Sequence, residues 1–233
     1  MLTRVLEPEV MDSPQEAADY DAMDHQAVNR VFVDDFLAAA NGAGLAFSAA
    51  SRQVLDLGAG TAQIPIELAR QAPSIRVLAI DLAASMLKLA RRNVLAAGLS
   101  ANIELEQVDA KGLPYADGRF AAVISNSIVH HIPEPACVLA EACRVVQAGG
   151  LIFVRDLFRP RDDAEVHSLV QAYAGEANAR QRQLFDASLR ATLSLDEIRQ
   201  CIEPLGFDPA TVRQTTDRHW TWTARKDASN NCR

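Results

Sequence analysis

From residue 53 to about residue 156, short apolar runs alternate with longer segments whose apolar residues recur every three or four positions. The short runs end in Gly, Asp, Asn or Pro and read as strands, whereas the 3.6-residue period reads as helix. Strands are predicted at Gln53–Leu57, Arg76–Leu82, Asn102–Val108, Phe120–Asn126 and Leu151–Asp156. Helices are predicted at about Ala62–Gln71, Ser85–Ala97 and Glu134–Val146. In the second of these, Met86, Leu87, Ala90 and Val94 share a face and Gly98 offers a C-terminal cap. Strands that alternate with helices must be joined by crossovers, so the pattern predicts an α/β fold around a parallel sheet.

Outside this stretch the pattern changes. Arg159-Pro160-Arg161 breaks the chain before a polar, helix-favouring segment, read as a lid or a docked helix pair. Ser194 with Glu197 three residues later forms a capping-box signature for a helix that should stop at Gly206. Two β-like runs, Thr211–Thr216 and His219–Ala224, form a closing hairpin in which Trp220 and Trp222 share a face. Residues Ala228–Arg233 read as frayed. Ahead of the first strand, Gln15–Ala40 reads as one or two helices. The organisation is therefore one domain over residues 1–233: an N-terminal helical arm or lid (1–50), a ligand-binding core (51–156), a helical lid insertion (157–191), and a closing helix with its hairpin (192–227).

Composition narrows the function classes. The chain has 233 residues, 49% of them hydrophobic, so about 70% of its surface can be buried in one sizeable core. The formal charge is −7, and residues 1–40 hold nine acids against Arg4 and Arg30, while the rest balances. An acidic chain is a poor match for phosphate backbones, so a small-molecule partner is expected and nucleic acid is not. No apolar run reaches the roughly 18 residues of a membrane span, so no membrane partner is expected. Cys137, Cys143, Cys201 and Cys232 are too few and too irregularly spaced for a disulfide framework or a zinc motif, which suggests a reducing cytoplasm.

The chemistry concentrates at strand ends. The first strand runs Val54-Leu55-Asp56-Leu57-Gly58-Ala59-Gly60-Thr61-Ala62 into a helix, a glycine turn that lets a ligand approach the backbone. The third glycine of a dinucleotide fingerprint is absent, since Gln63 stands three residues after Gly60. Asp56 would repel a pyrophosphate and suits a ligand carrying an ammonium. Asp81 ends the second strand just over twenty residues later, where an acid accepts both ribose hydroxyls. Asp109 with Ala110 follows the third strand, placed to accept a bond from an adenine amine. Three acids at successive strand ends thus point to a nucleoside.

These residues resemble those of the class I S-adenosylmethionine-dependent methyltransferases. Val54–Thr61 is similar to the family's first motif, Ala79-Ile80-Asp81 to its second and Val108-Asp109-Ala110 to its third; Leu113–Val123 and Arg144–Gly150 are similar to later landmarks. Two departures are Ala62 in place of a third glycine and Ala148 in place of a proline. The resemblance implies a Rossmann-like, doubly wound, mostly parallel seven-stranded sheet with an antiparallel C-terminal hairpin. It implies S-adenosyl-L-methionine as cofactor, S-adenosyl-L-homocysteine as product, and a small-molecule methyl acceptor. Asp56, Gly58, Ala59, Gly60, Asp81, Leu82, Asp109, Ala110, Asn126 and Tyr20 would surround the cofactor. The other readings are a nucleoside-binding module that transfers nothing and an NAD-dependent oxidoreductase.

Near the acceptor, His130, His131 and Asp156 are the candidate catalytic groups. On a helical turn one histidine of the adjacent pair should face the sheet and the other away. Asp156 reads either as an acceptor-site base or as an ion-pair partner of Arg159 and Arg161. No third ligand accompanies the histidines, so no metal site is expected. The surplus acids of the arm suggest a lid that is mobile until ligand binds, and the chain is expected as a monomer or homodimer.

Overall fold

The computed structural model describes residues 2–10, 12–45, 47, 53–230 and 232. Among them, seven strands form one sheet: β1 (Gln53–Leu57), β2 (Arg76–Asp81), β3 (Ile103–Gln107), β4 (Phe120–Asn126), β5 (Val146–Leu157), β6 (Val212–Gln214) and β7 (His219–Arg225). Their order is β3-β2-β1-β4-β5-β7-β6, with β7 antiparallel to both neighbours and the other pairs parallel. Val54, Leu55 and Leu57 of β1 are fully buried, as a strand covered by helices on both faces demands. The chain leaves β1 toward β2 on one side and later returns to β4 on the other. This reversal opens a crevice at the carboxyl ends of β1 and β4, the position where open α/β sheets bind ligands.

Strand alternation divides the core. Leu55 and Leu57 pack with α5 (Pro135–Val145), α8 (Leu195–Ile202), Trp220 and Trp222, while Val54 packs on the opposite face with α2 (Gln26–Gly42), α3 (Gln63–Gln71) and α4 (Ala84–Ala96). The shared face of the two tryptophans and the Ser194–Glu197 capping box are both present. Helices α6 (Asp163–Ala174) and α7 (Ala179–Ala191) form a docked pair whose Val166, Leu169, Val170 and Leu189 close over Leu157. Helix α1 (Pro14–Asp21) lies on α4 through Ala17, Ala83 and Met86. Among the described residues, no helix is long and apolar enough to cross a membrane.

Five expectations change. The third strand stops at Gln107, so Asp109 stands beyond it in a turn. The first hairpin strand contracts to Val212–Gln214, because Thr211 closes a 3-10 turn begun at Pro209 and the Thr215 and Thr216 amides both donate to the His219 carbonyl in the connecting turn. Helix α2 is not a free lid: Phe32, Val33 and Phe36 are at most 1% exposed, and both phenyl rings stack edge-on against Phe153 of β5. The arm's acids do not repel one another either, because Glu9, Asp19, Asp21 and Asp35 pair with Lys111, Arg180, Arg92 and Arg155. Cys143 and Cys232 are joined by a disulfide, a pairing the irregular spacing did not predict. Ahead of β1, residues 46 and 48–52 lie outside the described residues.

Candidate functional site

The glycine turn is held in a left-handed backbone conformation at Gly58 (φ +70°), Gly60 (φ +55°) and Ala62 (φ +65°). Ala62 adopts it despite its Cβ, at a cost of about 1–2 kcal/mol, where a glycine would be free of strain. The two glycines serve different ends. A Cβ on Gly58 would fall 2.0 Å from Cγ2 of Ile128, so this glycine lets β1 pack on the segment after β4. A Cβ on Gly60 would meet only Tyr20 at 3.6 Å, an ordinary contact, so this glycine keeps the ligand side open. The amide of Ala59 donates to the Ile80 carbonyl at 2.8 Å, which turns Ala59 toward the sheet.

Asp81 organises the turn from the neighbouring strand, accepting from the Gly60 amide through Oδ2 and from the Ala83 amide through Oδ1, both at 2.8 Å. Burial raises its pKa, although these amides oppose the shift. Asp56 is 2% exposed and its Oδ2 has no hydrogen-bond partner. Burial, and then the neighbouring Asp81 charge, push this carboxyl well above the usual range. Tyr20 of α1 covers the two acids; burial and then Asp81 and Asp56 push its phenol up to about 12. On the far side Asp109 accepts from the Lys111 amide at 2.9 Å, while the Lys111 ammonium bridges Asp109 and Glu9.

The second half of the site forms around a 3-10 turn, Val129–His131. Asp156, at 0% exposure on β5, accepts from the His130 amide at 3.0 Å and lies 2.6 Å from His130 Nδ1. Its ion-pair alternative fails, since Arg159 goes to Glu197 and Arg161 to Glu165. The two histidines do not diverge. Their ring centroids are 4.2 Å apart, and His130 Nε2 and His131 Nδ1 lie 3.3 and 3.2 Å from the same Oε1 of Glu7. Burial alone would lower the His130 pKa, but Asp156 and Glu7 outweigh it and raise the value to about 9. Burial and then the charge on His130 take His131 down to about 4, so its ring is neutral.

Glu7 arrives on an extended strap, residues 2–10, fastened by Arg4. That guanidinium donates to the carbonyls of Ala191, Ile132, His130 and Pro133 at 2.7–3.3 Å, and the Val5 amide donates to Arg190 at 3.0 Å. Glu7 supplies the third oxygen or nitrogen atom that the sequence lacked beside the histidines. Glu7, His130 and His131 each offer a potential ligand atom, all within 4.8 Å of one another, a third donor that the sequence did not display beside the histidines.

One cavity collects most of the predicted residues. Tyr20, Gly58, Gly60, Asp81, Leu82, Asp109, Ala110, Asn126 and His131 line it, whereas Asp56, Ala59, His130 and Asp156 are not among its lining residues. Sequence reasoning missed Glu9, Val10, Met86, Lys111, Ser127, Ile128 and Ile132, which also line it. Ser127 has φ +60°, a strained backbone at a functional edge that no residue type announces. Glu7 and Glu9 carried no motif at all.

A family model described as a methyltransferase domain matches residues 54–150. The malonyl-[acyl-carrier protein] O-methyltransferase of Geobacter sulfurreducens is 31% identical over 196 residues, 84% of this chain and 68% of that protein. The 27-O-demethylrifamycin SV methyltransferase of Amycolatopsis mediterranei is 28% identical over 181 residues, covering 76% of this chain; the chain spans 62% of that relative's length. A candidate S-adenosyl-L-methionine-dependent methyltransferase of Methanococcus maripaludis, 16% identical, shares the fold with a TM-score of 0.69, over 97% of this chain and 99% of the other.

Proposed function

The chain belongs to the class I S-adenosylmethionine-dependent methyltransferases, and from that premise we propose that it transfers a methyl group from S-adenosylmethionine to a small-molecule acceptor. The observation that carries this reading is Asp56: a fully buried carboxylate with an unpartnered oxygen, beside a glycine turn that keeps one face open. Such a group is costly unless a cation meets it, and the amino-acid ammonium of S-adenosylmethionine is that cation. Asp81, two of whose lone pairs are spent on amides, retains capacity for ribose hydroxyls. Asp109 and Ala110 take the adenine end, Asn126 and Leu82 border it, and Tyr20 covers the turn.

When bound, the cofactor supplies a methyl carbon already attached to a good leaving group. The chain's task is then alignment, and positioning alone is worth about 7–11 kcal/mol of barrier. The acceptor belongs at the His131 end of the cavity. There the neutral imidazole can receive a proton from an acceptor hydroxyl or ammonium, with His130 fixed behind it by Asp156.

Calorimetry with S-adenosylhomocysteine and NAD side by side tests the reading, followed by a metabolite screen that detects homocysteine after enzymatic release. We expect S-adenosylhomocysteine alone to bind. Asp81→Ala should weaken it by about 1.5–3 kcal/mol, through the lost ribose acceptor and the loosened Gly60 amide. Binding of NAD instead would remove this function, and unchanged affinity in the variant would remove Asp81 from the site.

A further inference from the structure

We propose that Glu7, His130 and His131 form a binding site for one divalent transition-metal ion of the zinc type. Two imidazoles and one carboxylate are a donor set that suits zinc and its first-row neighbours. Zinc bonds of about 2.0–2.2 Å in tetrahedral array place neighbouring donor atoms about 3.3–3.6 Å apart. The Glu7 oxygen stands 3.3 Å from His130 Nε2 and 3.2 Å from His131 Nδ1, and all three atoms fall within 4.8 Å. At that distance a ring nitrogen and a carboxylate normally share a hydrogen bond, yet the buried His131 Nδ1 makes none.

The surroundings have the form of metal support. A metal-bound imidazole almost always gives its other ring nitrogen to a carboxylate or carbonyl, which fixes the tautomer. Asp156 does this at His130 Nδ1, and an ion at Nε2 would displace, to solvent, the proton that this nitrogen holds against Glu7. Ser188 Oγ donates to Glu7 at 3.2 Å and holds the third ligand. Two carboxylates around the histidine pair give the site a net demand for positive charge. Because His131 is also a wall of the cavity, an ion here sits one side chain from the acceptor. Coordination of the ion uses the His131 nitrogen lone pair, so in the metal-loaded protein the ion would activate a bound hydroxyl, by lowering its pKa, in place of the imidazole. The site itself rests on geometry alone and stands apart from the methyl-transfer reading.

The test uses the full chain, stripped with chelator and titrated calorimetrically with Zn²⁺, then loaded with Co²⁺ for its visible d–d absorption. We expect one equivalent to bind, with Glu7→Gln and His131→Ala each weakening it about 10-fold or more and abolishing the Co²⁺ band. Glu7→Gln keeps the shape of a side chain that is 10% exposed, and its melting curve and S-adenosylhomocysteine titration serve as the folding control. Absence of Zn²⁺ binding in the stripped protein overturns the proposal. Zn²⁺ binding that both variants leave unchanged also overturns it, since the ion then sits elsewhere. S-adenosylhomocysteine binding, measured on the same samples, reports on the methyltransferase reading independently.

Discussion

The ends of β1 and β5 carry two buried aspartates on the same edge of the sheet, and their environments are opposite. Asp156 accepts from the His130 amide, the His130 ring and the Leu157 amide. Burial would raise its pKa, but His130 and these bonds hold it below the usual carboxylate range. Asp56 is as deeply buried, has an unpartnered oxygen and is displaced upward by burial and by Asp81. A buried charge whose partners belong to the protein supports the fold, whereas one without partners is tolerable only where a ligand completes it. One site therefore contains a carboxylate that the protein itself completes, Asp156, and a carboxylate left for a ligand to complete, Asp56.

Replacing Asp156 should have the largest effect. Asp156→Ala leaves His130 buried without its principal carboxylate, a loss of about 3–5 kcal/mol. At about 2–4 °C per kcal/mol for a chain of this size, differential scanning calorimetry should show the melting temperature falling by ~6–20 °C. A variant that melts with the parent would mean the couple contributes nothing to the fold, and the contrast with Asp56 would collapse.

Asp56→Asn should move stability the other way. Removing an uncompensated charge should stabilise the ligand-free protein by about 1–2 kcal/mol, a rise of ~2–8 °C, while S-adenosylhomocysteine binds about 10-fold or more weakly. Thermal melts with and without ligand measure both quantities at once. A drop in the ligand-free melting temperature would show that Asp56 has a partner within the fold.

The smallest effect sharpens the same point through pH. The folded pKa of Asp56 lies above its unfolded value, so its contribution to the stability of the free protein is fully present below the unfolded value. That contribution is lost as pH rises through the folded value. An ammonium beside it reverses the shift, so binding S-adenosylhomocysteine should release a fraction of a proton and weaken as pH falls through the raised value. Titrations in two buffers of different ionisation enthalpy should give heats that differ in the parent and agree in Asp56→Asn. Equal heats in the parent would separate Asp56 from the ammonium.

What the sequence determined by itself was local. The alternation of apolar runs prescribed the parallel sheet, because a strand or a helix states its period within a few residues. Asp56, Gly58, Gly60 and Asp81 were legible because a tight strand-to-helix turn restricts which residues fit it, and because strand ends fall on one edge whatever surrounds them. The tertiary structure alone decided the rest. Arg4 reaches the His130 carbonyl across a separation of 126 residues, and Cys143 meets Cys232 across 89. Helix α2 became core because Phe32 and Phe36 found Phe153, and the acid surplus of the arm became a set of docking pairs. Both histidines turned toward one oxygen of Glu7, a residue with no motif around it. Such contacts depend on the summed packing of segments far apart in the chain and on the rotamers that packing permits. Neither quantity has a period or a spacing that a linear sequence can display.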